Sequence, residues 1–114
     1  MRGAAIACAV VWISLHLLLA PEHVEEEPYI GLSFVLGAGA FIVAIAYLSE
    51  RWAWNLGAAI CLITCIMLVA SRTVGLPGDY KESWNSQAIL SLTASVGFLL
   101  VYLVQLQAPK EVQP

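Results

Sequence analysis

Charge is what this chain has least of. Lys and Arg number 5 and Asp and Glu 8 in 114 residues, 11% charged in all, against about 25% in an ordinary soluble domain. Five scattered cations make no basic patch, which excludes the electrostatic footprint of a nucleic-acid binder. Cysteine is equally sparse. Cys8, Cys61 and Cys65 all fall inside apolar stretches, and an odd number so placed makes no disulfide framework. The sequence holds no CxxC pair, no glycine-rich phosphate loop and no nucleophile beside a base. It therefore carries no enzyme signature and reads as non-catalytic.

Apolar sequence fills the space. Hydrophobic residues make up 61%, concentrated in four runs at 3–20, 29–49, 52–71 and 88–107. A membrane-spanning helix needs roughly 20 mostly apolar residues, and each run meets that length, the first narrowly. Helices of a soluble bundle keep a polar face. These runs are apolar all round, and a chain this short cannot bury four such helices within itself. The expected fold is all-α: an antiparallel four-helix bundle embedded in the lipid bilayer, with short loops, a single transmembrane domain over residues 1–114 and no soluble domain. The first run is expected to stay as a span. It exceeds the usual h-region of a signal peptide, and no small-x-small cleavage site precedes Pro21.

Orientation follows from positive residues near helix ends. A cytoplasmic N-terminus puts Arg2, Arg51 and Lys110 inside and Arg72 and Lys81 outside, along with the acidic first loop. The prediction is a multi-pass protein of the cell membrane with both termini cytoplasmic. Tyr29, Tyr80 and Trp84 then mark one interface, and Tyr47, Trp52, Trp54 and Tyr102 the other.

Helix boundaries are signalled by familiar residues. Pro21 disfavours helix at Ala20 and is expected to close the first span, while Pro28 suits the first turn of the second. Glu50-Arg51 makes a tight turn that forces the second and third spans to be antiparallel neighbours. Gly75 is a candidate left-handed cap after Arg72, and Asp79 with Glu82 has capping-box spacing. Small residues form stripes that let helix backbones approach closely in lipid: Ser33, Gly37, Ala40 and Ala44 on the second span, Gly57, Cys61 and Thr64 on the third, Ala88, Ser91 and Ser95 on the fourth. Such stripes serve packing within the bundle or a seam for a partner helix.

One constellation has chemical content. His16, Glu22, His23, Glu25, Glu26 and Glu27 gather at the outer edge, and topology brings Arg72 and Asp79 near them. Imidazoles with carboxylates suit zinc or copper, so a metal ion is a possible cofactor there; no other cofactor is predicted. His16 and His23 would share a helix face if the helix were continuous, but Pro21 is expected to interrupt it. The plainer alternative is a neutral His16 bonded within the bundle beside solvated glutamates. Cys61 and Cys65, one turn apart, could face a soft Cu(I) ion, although buried cysteine is usually a small hydrophobe. Arg72 is expected to pair with Glu22, with one of Glu25, Glu26 and Glu27, or with Asp79; otherwise it caps the carbonyls of its own helix.

The segment 71–78, Ser-Arg-Thr-Val-Gly-Leu-Pro-Gly, together with His16, Pro21-Glu22-His23 and Glu27-Pro28-Tyr29, resembles a group of small four-helix membrane proteins of bacteria that share an RTxGLPG-like outer loop. The resemblance covers the outer loops. It implies the same architecture and an outer face that matters, and it supplies no activity. Two functional readings stand on the sequence. One is a small non-catalytic subunit or accessory protein of a larger membrane complex, of respiratory or metal-oxygenase type, joined to other membrane subunits or to copies of itself. The other is a metal-handling or transport protein using the His/Glu edge.

Overall fold

The computed structural model describes residues 2–75 and 83–107. Four helices account for most of them: α1 (Arg2–Glu26), α2 (Pro28–Ala46), α3 (Arg51–Arg72) and α4 (Ser86–Gln107), with no strand among the described residues. All four are long and apolar enough to cross a membrane, and we read the chain as a multi-pass membrane protein.

Each helix packs against its neighbours in sequence, and α1 closes the ring against α4. Contact partners give the directions. Trp12 meets Gly37 and Phe41, His16 and His23 meet Phe34, and Val24 meets Gly31, so numbers fall along α2 as they rise along α1. Gly57 meets Phe98 while Asn55 Oδ1 accepts a hydrogen bond of 2.7 Å from Tyr102 Oη, which makes α3 and α4 antiparallel as well. The four-helix, antiparallel expectation holds.

The core is aromatic and seated on glycine. Phe41 and Phe98 are fully buried and meet edge to face across the α2–α4 diagonal, with centroids 5.1 Å apart. A Cβ at Gly57 would lie 2.6 Å from the Phe98 ring and 3.3 Å from Phe41. At Gly37 it would lie 2.8 Å from the Trp12 indole. The glycines are the hollows into which rings project, and this close approach replaces the hydrophobic driving force that helices lack in lipid. Across the other diagonal, Trp12 Nε1 donates to Thr64 Oγ1 at 3.1 Å.

Several boundaries differ from those read in the sequence. Pro21 does not close α1, which continues through it to Glu26. Proline removes one i→i−4 hydrogen bond and crowds the preceding turn; both Leu17, whose carbonyl loses that donor, and Pro21 itself are exposed, so no tight packing opposes the distortion. A helix of 25 residues is about 37 Å long, longer than the roughly 30 Å hydrocarbon layer. The segment written as an acidic loop is thus mostly a helix end. Only Glu27 separates α1 from α2, in an extended conformation (φ −149°, ψ 101°). So abrupt a reversal brings the two backbones together, and a Cβ at Gly31 would overlap the backbone of Val24.

The second helix ends at Ala46, three residues early, because the turn is fastened from below. Trp54 Nε1 donates to the Leu48 carbonyl at 2.8 Å, and both residues are buried. Trp54 is therefore a core residue and not an interfacial one. Pro28 sits in the first turn of α2 as expected. Gly75 has φ 88° and its N–H reaches the Ala70 carbonyl at 2.7 Å, the left-handed termination its position implied. The capping pair Asp79 and Glu82 lies outside the described residues. A cap the sequence reading missed is Asn85, whose Oδ1 accepts from the Ala88 N–H at 2.8 Å and starts α4.

Candidate functional site: a chamber between the helices

The end of the bundle that carries Glu22, Arg72 and Asn85 is hollow. A chamber of about 400 Å³ opens among all four helices there, well above the roughly 150 Å³ that suffices for benzene in an engineered protein cavity. Trp12, bonded to Thr64, stands at its inner limit. Its walls are apolar, with Phe34 from α2 and Ile60, Ile63 and Met67 from α3. Ile63 is 59% exposed, so one edge of the chamber reaches the lipid-facing surface of α3. Its polar lining comprises His16, Glu22, His23, Ser33, Thr64, Ser71, Arg72, Asn85, Gln87 and Ser91.

The continuous α1 places His16 and His23 on one face after all, two turns apart and both buried. Each binds back to its own helix. His16 Nδ1 lies 2.7 Å from the Trp12 carbonyl and His23 Nδ1 2.9 Å from the Leu19 carbonyl. A carbonyl only accepts, so each Nδ1 carries the proton, and in the neutral ring Nε2 carries the lone pair. His16 is further clamped by its neighbours. It stacks on Trp12 with centroids 3.7 Å apart and planes 13° from parallel, and it meets the edge of Phe34 at 4.7 Å. Among the described residues, His16 Nε2 makes no hydrogen bond.

Ser91 lines the chamber from α4. The hydroxyls of Ser33, Thr64, Ser71, Thr73 and Thr93 all bond to carbonyls three or four residues back in their helices. Ser91 and Ser95 are 3% and 0% exposed, and neither Oγ has a hydrogen-bond partner. A buried hydroxyl without a partner costs about 1–3 kcal/mol; Ser91 lines the chamber, but its Oγ has under 1 Å² of accessible surface and does not open onto it.

At the rim, the Arg72 guanidinium donates to Ser71 Oγ at 2.6 Å and lies over the Trp84 ring, 5.9 Å from its centroid. Glu22 borders the same chamber; Asp79, the other expected partner of Arg72, lies outside the described residues. Glu25 and Glu26 are exposed and Glu27 is partly so. Three of the four glutamates continue the helix, where Glu22, Glu25 and Glu26 stand at i, i+3 and i+4 on one side of it. His16 and His23 each pack 4.7 Å from Phe34, which lies between them. Among the described residues, no three His, Cys, Asp or Glu side chains gather closely enough to hold a metal ion. The six-residue edge expected to hold zinc or copper is thus divided, with His16, His23 and Glu22 at the chamber and the rest on the surface.

The small-residue stripes are only partly as expected. Gly57, Cys61, Ser91, Ser95 and Ala44 are buried inside the bundle, and Gly37 receives Trp12. Ser33 is exposed, and Ala40 is half-buried. The inward face of α2 instead follows Ile30, Phe34, Ala38 and Phe41, since large residues dominate its packing. No family model, curated protein or solved structure matches this chain.

Proposed function

We propose that this protein is a non-catalytic binding protein of the membrane, holding one small and largely apolar molecule in the chamber between its helices. The observation that carries this reading is the chamber itself, about 400 Å³ open among all four helices and lined by Trp12, Phe34 and the aliphatic side chains of α3 together with His16. That volume lies within the roughly 300–1,000 Å³ of small-molecule sites, and an apolar lining with a few convergent polar groups is their usual composition. Among the readings drawn from the sequence, this stands nearest to transport, with an organic molecule in place of a metal. The inward-facing stripes offer no separate seam for a partner helix, so the accessory-subunit reading draws nothing from them.

The test uses Trp12 as the reporter. In nanodiscs, with Trp52 and Trp84 replaced by Phe, titration with 4-bromoanisole should quench tryptophan emission along a saturable curve. Ser91→Phe, which fills the chamber, should leave only the linear quenching of a probe dissolved in lipid. Linear quenching in both proteins would overturn the reading.

A further inference from the structure

The chamber opens in two directions. One is its mouth, at the helix ends that carry Glu22, Arg72 and Asn85. The other is sideways, between α2 and α3. Ser33 and Ile63 both line the chamber and both are exposed, Ile63 at 59%. Ser33 lies 13 residues before Ala46, where α2 ends, and Ile63 12 after Arg51, where α3 begins. Those spacings put them about 20 Å and 18 Å from the turn between the helices, so they stand at one depth on neighbouring antiparallel helices. On α2 that edge is made of Ser33 and Gly37, which give it little side chain with which to close against Ile60 and Ile63.

Polarity changes along the chamber's length. From Trp12 at the floor to Glu22 at the mouth it follows ten residues of α1, about 15 Å. Below the mouth, the hydroxyls of Ser33, Thr64 and Ser71 each donate to a carbonyl of their own helix, and His16 Nδ1 donates to that of Trp12. What that depth presents is mainly ring and aliphatic surface. The mouth instead gathers N–H donors, from the Arg72 guanidinium and the carboxamides of Asn85 and Gln87, beside the Glu22 carboxylate. Asn85 Oδ1 already accepts from the Ala88 N–H, so that carboxamide offers the chamber its two N–H donors.

We infer that the occupant is a lipid-type amphiphile with a straight acyl chain. It enters sideways from the bilayer between α2 and α3, rests its chain end at Trp12 and keeps an acceptor-rich head, a carboxylate or a phosphate ester, at the mouth. The inference rests on the chamber being a binding site and adds what enters it and from which side. Such a molecule suits both openings. Its tail passes from hydrocarbon to apolar wall while its head stays at the helix ends, and no polar group is carried through the hydrocarbon region, where it is costly. Length agrees as well. An extended chain gains about 1.2 Å per bond, so about twelve carbons reach from mouth to floor. A free fatty acid and one chain of a bilayer phospholipid share this chemistry.

Bromine placed along the chain reads the orientation. In the nanodisc assay with Trp52 and Trp84 replaced by Phe, 12-bromododecanoate should quench along a saturable curve. At its own saturation, 2-bromododecanoate should quench roughly fivefold less, because its bromine stays about 15 Å from the indole. Equal quenching by the two overturns the orientation. 12-Hydroxydodecanoate binding tighter than dodecanoate overturns the apolar tail in favour of a polar end read at His16. Release of 12-bromododecanoate, chased by excess dodecanoate, reads the route. Ser33→Phe, at an exposed position, should slow that release by about tenfold or more, since the ring must give way at each passage. Continued saturation of this variant by 4-bromoanisole shows its chamber intact, and an unchanged release rate overturns the sideways route. Saturable quenching by a phosphatidylcholine bearing a 12-bromododecanoyl chain assigns the occupant to bilayer lipid; its absence beside quenching by the acid assigns it to a free fatty acid. If 4-bromoanisole saturates the unaltered chamber and neither bromo acid does, the amphiphile is wrong and the binding function stands. If none of the three saturates, both fall.

Discussion

The two ends of the bundle draw on similar residue types and pack them to opposite effect. At the end that carries Leu48, Trp54 and Phe98, large and small residues face one another. Phe98 projects onto Gly57, Trp54 tilts against Phe98 with centroids 5.8 Å apart, and Ala5, Ala9, Ala44 and Ala53 are fully buried between them. At the end that carries Arg72, α4 contributes only Ala88 and Ser91 to the inner wall. The rings that might fill the space are held back, because His16 and His23 each bond to a carbonyl of α1. Packing at interior density needs side chains that reach across the axis. At one end aromatic rings are free to do so; at the other, imidazoles are tied to the helix that bears them. The hollow is as specifically built as the solid half.

If that contrast is right, substitutions of similar size should have very different consequences at the two ends. The largest loss should come from Phe98→Ala. It empties a fully buried site in the packed half and should destabilise by about 3–5 kcal/mol, measured by denaturant or thermal unfolding in detergent micelles. An effect below about 1 kcal/mol, the scale of an ordinary surface change, would mean that the packed half is not what holds the bundle. Gly57→Val should follow. Its side chain meets the Phe98 and Phe41 rings, and overpacking of this kind costs about 1–3 kcal/mol; a thermal midpoint equal to the parent's would contradict the socket geometry. Next, Trp12→Phe keeps most of the ring but removes the hydrogen bond to Thr64 at the boundary between the halves, for about 1 kcal/mol. Adding Thr64→Val to it should cost little more, since the pair is already broken. Ser91→Ala in the hollow half should change the stability of the ligand-free protein by no more than about 0.5 kcal/mol, or raise it, because the hydroxyl has no partner to lose. A clear loss there would show that Ser91 is structural and that the chamber is merely loosely packed.

Much of this was legible beforehand, and the limits are instructive. Four helices, their number and their antiparallel order follow from four long apolar runs joined by short connections, because a backbone in lipid must satisfy its own hydrogen bonds and helices do so locally. The left-handed Gly75 was legible for the same reason: termination is a local event. Pro21 misled because helix continuity depends on what surrounds the proline. Once α1 runs through it, two histidines seven residues apart share a face and three of the four glutamates cease to be a loop. Asn85 is legible as a cap, since its side chain precedes a helical run and asparagine favours that position.

Sequence by itself determined that this chain is helical, that its helices belong in a membrane, and where most of them stop. These are properties of composition and of hydrogen bonds closed within a few residues. Only the tertiary structure decided that Gly37 and Gly57 receive rings and that Gly31 admits a neighbouring backbone. It alone left the space among the four helices at the Arg72 end unfilled. Such features depend on the register between helices far apart in the chain, fixed by the summed fit of many side chains, and no local pattern of residues encodes that sum.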